Sequence, residues 1–253
     1  MPDIVPIAGA AAGGLFPSLA WLWFWLREEA EHPEPRRLIA AAFAAGMLVV
    51  ALVIPLEEWV AQFMPDMTII IGAAANGTMY TISAEVFTYL AWSALEEIMK
   101  FGAASFFVLR HRKDAEPIDM VIDMVAVALG FAAVENALFL YSPLSGTSLA
   151  QIVATGDFRF IGATLLHVFS SAIIGVALGL AFYESWQKKV LYATGGVILA
   201  ILLHGTFNLL ILYTPQAYML LVFAAVWIGI IALLAVLEYV KRIHPRRSRV
   251  IIN

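Results

Sequence analysis

The sequence contains no cysteine, and only 13% of its 253 residues are charged. Without cysteine there can be no disulfide bond, thiolate zinc site or cysteine nucleophile. The low charge and the 62% hydrophobic content exclude an ordinary soluble domain, which is about half apolar and about a quarter charged. The net charge of -4 is small and scattered along the chain, so no nucleic-acid partner is expected. The composition therefore indicates an integral membrane protein.

Long apolar runs separated by charged or proline-containing breaks divide the chain. A helix that crosses a bilayer needs about 20 mainly apolar residues. The sequence predicts an all-α polytopic membrane protein of about seven transmembrane helices in the cell membrane, forming one integral membrane domain over 1–253 with the lipid bilayer as a partner. If part of the mixed stretch 56–82 is a re-entrant or short helix, the count is eight. The seven runs lie at 5–26, 38–55, 83–109, 119–141, 160–183, 190–213 and 217–240.

Lysine and arginine occur almost entirely in alternate connections between these runs. Of the 15 cations, 13 lie between runs one and two, three and four, or five and six, or after run seven. Because cationic loops stay on the cytoplasmic side, we predict an outer N-terminus, a cytoplasmic C-terminus and a basic cytoplasmic tail over 241–253. The two exceptions are Arg159, placed to snorkel to the outer interface, and Lys100, which lies inside a span.

Polar side chains inside the predicted spans are confined to four of them. An ionisable residue in a span is costly and is a candidate functional residue by default. Counting about 1.5 Å per helical residue puts these side chains at one level, roughly 8 to 14 Å below the outer surface. The sequence therefore predicts a four-helix catalytic core over 83–213. Its polar residues are Glu96, Glu97 and Lys100 in the third span, Glu135 and Asn136 in the fourth, His167 in the fifth, and His204 and Asn208 in the sixth.

The residue types in this core favour hydrolysis by an activated water. Lys100 is three and four residues after Glu97 and Glu96, so it can pair with either carboxylate. The sequence has no HExxH zinc-protease motif and no GxSG serine motif. A glutamate can deprotonate water, and histidine with asparagine can hold the resulting oxyanion. Whether Glu96 or Glu97 is the base stays open.

Four motifs in order, each on its own span, resemble the PrsW family of intramembrane proteases, relatives of the CAAX prenyl endopeptidases and bacteriocin-immunity-type proteases. They are Glu96-Glu97-x-x-Lys100, Phe131-x-x-x-Glu135-Asn136, His167 and His204-x-x-x-Asn208. The resemblance implies an endopeptidase whose partner is a membrane-anchored protein substrate, cut near the outer face as in site-1 cleavage of an anti-sigma factor. It implies Glu96 or Glu97 as general base, His204 and Asn208 as oxyanion binders, Glu135 and His167 as further catalytic residues, and Lys100, Asn136 and Arg159 in support.

The cofactor requirement has two interpretations. The favoured one needs no metal, because a carboxylate alone can activate water. In the other, Glu135, His167 and His204 hold Zn²⁺ and leave one position open for water.

Two functions from other classes also fit a polar site inside a membrane. A proton- or ion-coupled transporter needs such residues, but it usually shows internal repeats, and none is visible here. A non-catalytic membrane scaffold would use the same groove to bind partners. Cleavage of a substrate separates both from a protease.

Overall fold

The computed structural model describes residues 4–29, 35–64, 69–73, 79–107, 115–141 and 162–244. Seven long helices account for most of these residues, with short 3-10 turns at Leu26–Glu29 and Gln216–Tyr218. The helices are α1 Ile4–Trp25, α2 Arg36–Gln62, α3 Ala84–Phe107, α4 Asp119–Tyr141, α5 Ala163–Leu180, α6 Trp186–Tyr213 and α7 Met219–Val240.

Each of the seven predicted spans corresponds to one of these helices, so the all-α class is confirmed. Six of the helices are long and apolar enough to cross a membrane by length and composition. The remaining one, α3, carries Glu96, Glu97 and Lys100 near its middle. The helix α2 continues through Pro55 to Gln62, whereas the predicted run stopped at Pro55. Proline is tolerated inside membrane helices because neighbouring groups satisfy the freed carbonyl.

The described part of the stretch between α2 and α3 is an antiparallel hairpin. Strand β1 (Ile69–Ala73) pairs with β2 (Met79–Ile82), and Ile69 lies opposite Ile82. The register shifts between Ile70 and Gly72, which indicates a bulge. The stretch therefore contains strands where one interpretation allowed a short helix, consistent with its β-branched run of three isoleucines.

The helix α4 lies at the centre of the bundle. Seventeen of its 23 residues are buried, in agreement with a sequence that is apolar on all sides. It packs most extensively against α1, α2 and α5, while α3 packs mainly against α2 and α6. The helix α2 thus lies against both α3 and α4 and joins the two sides of the predicted catalytic core.

Glycines allow α4 to approach its neighbours closely. A Cβ on Gly130 would meet the backbone of Phe43 in α2, and a Cβ on Gly46 would meet the backbone of Val127 in α4. Small residues at helix crossings permit this approach inside membranes. The crossing of α2 and α4 therefore depends on the missing side chain at both positions.

Candidate active site

Polar side chains from α3, α4, α5 and α6 converge in the interior, as the sequence predicted. Five of them have little or no contact with solvent: their residues are 8% exposed at Glu96, 2% at His167 and His204, and 0% at Glu97 and Lys100. Charged groups buried this deeply are stable only when they are paired with each other.

The ammonium group of Lys100 contacts three other polar side chains of this cluster. Its Nζ donates to Glu97 Oε1 at 2.8 Å, to His167 Nδ1 at 3.0 Å and to Glu96 Oε2 at 3.2 Å. An ammonium has three protons, so all of its donors are used. The same Nζ lies 4.4 Å from the centre of the Phe131 ring, which adds a cation–π contact.

The contact with Lys100 determines which nitrogen of His167 carries the proton. Because an ammonium only donates, His167 Nδ1 accepts, and the protonated Nε2 donates to Glu135 Oε2 at 2.6 Å. His204 Nδ1 donates to Glu97 Oε1 at 2.8 Å, which leaves its Nε2 facing Glu96 Oε2 at 3.9 Å. Each ring therefore contacts a second carboxylate through one nitrogen, Glu135 for His167 and Glu97 for His204, and its other nitrogen lies 3.6 or 3.9 Å from Glu96 Oε2.

The two adjacent glutamates of α3 have different surroundings. Glu97 Oε1 accepts hydrogen bonds from Lys100, His204 and Ser170, and its Oε2 accepts one from Ser171 at 2.8 Å. The side chain of Glu96 is 10% exposed, and among the described residues its Oε1 accepts no hydrogen bond. Glu97 is thus saturated, whereas Glu96 has an oxygen available for a water.

Three of the side chains form a group that could hold a metal ion. One ligand atom each from Glu96, His167 and His204 lies within 4.8 Å of the other two. The zinc set expected from the sequence was Glu135, His167 and His204. The structure has Glu96 in place of Glu135, because the Glu135 carboxylate contacts Nε2 of His167, the nitrogen that faces away from Glu96. The Glu135 side chain is 37% exposed.

The two asparagines have separate contacts. Asn208 Nδ2 donates to Ser93 Oγ at 3.2 Å, one turn before Glu97 on α3, and Asn136 Nδ2 donates to Thr164 Oγ1 at 2.8 Å. The contact of Asn136 joins α4 to α5, as amides commonly do between membrane helices. Arg159 lies outside the described residues.

Three further residues at this site were not predicted from the sequence. Ser170 and Ser171 lie three and four positions after His167 on α5, a spacing that could have placed them on its face. The third is the half-buried Glu57, which interacts electrostatically with the carboxylates of Glu96 and Glu135. Its backbone oxygen accepts a hydrogen bond from Trp92 Nε1 at 3.0 Å. No sequence signal identified Glu57, because the second span was predicted to stop two residues earlier.

Charged groups of both signs are joined within the cluster. The ammonium of Lys100 contacts the carboxylates of Glu96 and Glu97 directly, and His167 contacts both Glu96 and Glu135. Burial makes an uncompensated charge costly, so these contacts stabilise one another.

Comparisons with known proteins agree with this chemistry. Residues 34–236 match the family described as PrsW family intramembrane metalloprotease. The chain is 31% identical over 219 residues to Protease PrsW of Geobacillus kaustophilus strain HTA426, covering 85% of this chain and 86% of that relative. It is 25% identical over 201 residues to Protease PrsW of Bacillus subtilis strain 168, covering 79% of this chain and 81% of that relative. No solved structure matches this chain significantly.

Proposed function

This chain belongs to the PrsW family of intramembrane proteases, and we propose that it hydrolyses a peptide bond of a membrane-anchored protein at the polar cluster formed by α3, α4, α5 and α6. The observation that carries this assignment is the convergence of two histidine nitrogens on Glu96, with His167 Nδ1 at 3.6 Å and His204 Nε2 at 3.9 Å from Glu96 Oε2. These atoms come from α3, α5 and α6, so they meet only when these three helices pack together.

Glu96 is the carboxylate that acts on water. Its Oε1 accepts no hydrogen bond from the described residues, whereas four donors saturate Glu97. Oε1 takes a proton from the attacking water and returns it to the leaving amine, so the amide is converted into a carboxylic acid and a free amine. Glu97 positions the ring of His204 and is not the base.

Asn208 is the remaining donor for the carbonyl oxygen. Its amide carries two N–H groups, and the only hydrogen bond that it donates to the described residues goes to Ser93. A second N–H can therefore stabilise the oxyanion that forms on attack. The resemblance assigns His204 the same role. Its Nδ1 donates to Glu97 Oε1, so Nε2 is the nitrogen that can donate to the oxyanion, when the ring is an imidazolium.

The residues also fit a divalent metal, which the description of the family implies. Two histidines and one glutamate are a known donor set of catalytic zinc. Each histidine has a carboxylate on its other nitrogen, Glu135 for His167 and Glu97 for His204, which is the usual arrangement behind zinc-bound histidines. Glu96, His167 and His204 would hold the ion. When bound, it supplies Lewis-acid polarisation of the carbonyl and promotes deprotonation of water.

The substrate is proposed to be cut near the outer face, as in site-1 cleavage of an anti-sigma factor. Glu135 lies six residues before the end of α4, and His167 lies four residues after the start of α5. At about 1.5 Å per residue, both are within roughly 10 Å of those helix ends. With the predicted orientation these ends are extracytoplasmic, which supports cleavage close to that surface.

Cleavage of a single-span reporter protein by the purified chain in detergent tests the proposal. We expect Glu96→Gln to lower the cleavage rate by about 100-fold or more, the usual contribution of a general base. The matched control is Glu58→Gln, on the exposed face of α2, which should cleave like the wild type. Cleavage by Glu96→Gln at the wild-type rate would exclude Glu96 as the base.

The same assay with a chelator, together with metal analysis, tests whether cleavage requires a bound metal ion. We expect loss of cleavage in the chelator, recovery on adding Zn²⁺, and about one ion per chain, as three ligands and one open position require. Chelator-resistant cleavage by metal-free protein would instead establish hydrolysis by Glu96 alone.

A further inference from the structure

The atoms that would bind a metal are already in contact with a cation, the ammonium of Lys100. Of its three acceptors, Glu96 Oε2 and His167 Nδ1 belong to the proposed ligand group, and Glu97 Oε1 does not. The ammonium is completely buried, so it belongs to the interior of the site.

The Lys100 ammonium and a metal ion would compete most directly for His167 Nδ1. A carboxylate oxygen has two lone pairs and can accept a hydrogen bond while it binds an ion, but an unprotonated imidazole nitrogen has one. His167 Nδ1 uses that lone pair to accept the hydrogen bond from Lys100, at 3.0 Å, and its Nε2 donates to Glu135. The hydrogen bond from Lys100 and a metal bond at His167 Nδ1 therefore exclude each other.

We propose that Lys100 is an internal counter-cation that keeps the ligand group of the metal-free protein assembled and must release His167 Nδ1 before a divalent ion binds. This inference rests on the proposed metal-holding centre and adds that Lys100 sets its affinity. In the metal-free state the ammonium pairs with the carboxylates of Glu96 and Glu97. In the metal-bound state it stands near a second cation, and the repulsion lowers the affinity for the ion.

The surroundings of Lys100 can accept the displaced ammonium. Its shortest hydrogen bond, 2.8 Å to Glu97 Oε1, does not involve a proposed ligand. The face of the Phe131 ring, 4.4 Å from Nζ, provides a second partner. Lys100 therefore keeps two favourable contacts after it leaves His167, and a side-chain shift is sufficient.

Zinc titration of the purified protein in detergent, in competition with a chelating indicator, tests this inference. We expect Lys100→Met to bind Zn²⁺ about tenfold more tightly or better, since a unit charge a few Å from the ion is removed. Without metal, the same variant should unfold at a lower temperature than the wild type, and zinc should raise its unfolding temperature by more than that of the wild type.

Two variants control for charge and for general effects on the fold. Lys100→Arg keeps the positive charge and should not gain affinity. Lys188→Met removes an exposed lysine that pairs only with Glu184 among the described residues, and it should bind zinc like the wild type.

The outcomes separate the two proposals. Unchanged or weaker zinc binding by Lys100→Met, with normal binding by the wild type, overturns the role of Lys100 and leaves the metal centre standing. A Lys100→Met protein that stays unfolded in saturating zinc also overturns it. If the wild type binds no zinc and cleaves its substrate in a chelator, both the metal centre and the role of Lys100 are excluded, while the protease assignment remains.

Discussion

At the residue scale, adjacent glutamates on one helix have different surroundings because they face different neighbours. Glu97 accepts from four donors, whereas Glu96 faces two histidines and, among the described residues, has one oxygen that accepts no hydrogen bond. One residue along a helix rotates the side-chain direction by about 100°. This rotation is sufficient to give the two carboxylates the different roles proposed for them.

Glu97→Gln should destabilise the protein more than Glu96→Gln. The amide removes the charge that compensates Lys100 and places an NH₂ group where donors now converge. Breaking a buried ion pair by removing one partner costs about 3 to 5 kcal/mol. Thermal unfolding in detergent, followed by circular dichroism, measures the difference. Equal unfolding temperatures of the two variants would contradict the division of roles.

Ser171→Ala should also lower the stability, by roughly 1.5 to 3 kcal/mol, the range for a hydrogen bond to a charged group. The hydroxyl of Ser171 is the only described donor to Glu97 Oε2. Ser18→Ala is the matched control, because this equally buried hydroxyl bonds, within the described part of the chain, only to the carbonyl of Gly14 in its own helix. The same unfolding measurement compares them, and a larger loss in Ser18→Ala would count against the charged contact.

At the scale of single elements, α4 organises the bundle through close helix crossings. It is buried on nearly all sides, and its contact with α2 leaves no room for a methyl group at Gly130 or Gly46. Glu135 and Asn136 follow Gly130 by five and six residues on the same helix. The position of Glu135 relative to His167 thus depends on how closely α4 packs.

Gly130→Ala should reduce the yield of folded protein and lower its unfolding temperature. The new methyl group meets the backbone of Phe43, which cannot move without shifting α2. Overpacking of this kind costs about 1 to 3 kcal/mol or more. Gly102→Ala is the control, since nothing lies within 4 Å of its Cβ position, and alanine favours helix by about 1 kcal/mol. A folded Gly130→Ala protein as stable as the wild type would exclude this close crossing.

At the scale of the whole molecule, the distribution of cations predicts how the bundle sits in the membrane. Arg36 and Arg37 begin α2, and Lys188 and Lys189 lie in the first turn of α6. Both helix starts are therefore predicted to be cytoplasmic. The opposite ends, which include the hairpin between α2 and α3, then face outward.

The absence of cysteine makes this orientation directly measurable. A single cysteine at Gln216, after α6, should react with a membrane-impermeant maleimide in intact cells. A cysteine at the exposed Ser185, before α6, should react only after permeabilisation. The wild type, which has no thiol, is the background control. The reverse labelling pattern would invert the predicted topology and place the site near the cytoplasmic face.

The sequence predicted the helices and most of the polar side chains that meet in the interior from local information. Apolar runs about 20 residues long specify spans by length alone, and buried charge is rare enough that Glu96, Lys100 and His167 were identifiable without a structure. The hairpin at 69–82 was not predicted, because its strands are short and lie in a mixed segment. Glu57 was missed because Pro55 does not end α2.

The sequence by itself identified most of the polar residues that the structure brings together, because their spacing places them on defined helix faces and their cost inside a membrane makes them conspicuous. Only the tertiary structure decided what each residue contacts, since those contacts are made between helices separated by up to 107 positions, as between Glu97 and His204. The distinction between Glu96 and Glu97, the replacement of Glu135 by Glu96 in the ligand group, and the contact of Lys100 with His167 all depend on how helices face one another. Helical periodicity specifies the face of one helix, and packing selects the partner opposite it.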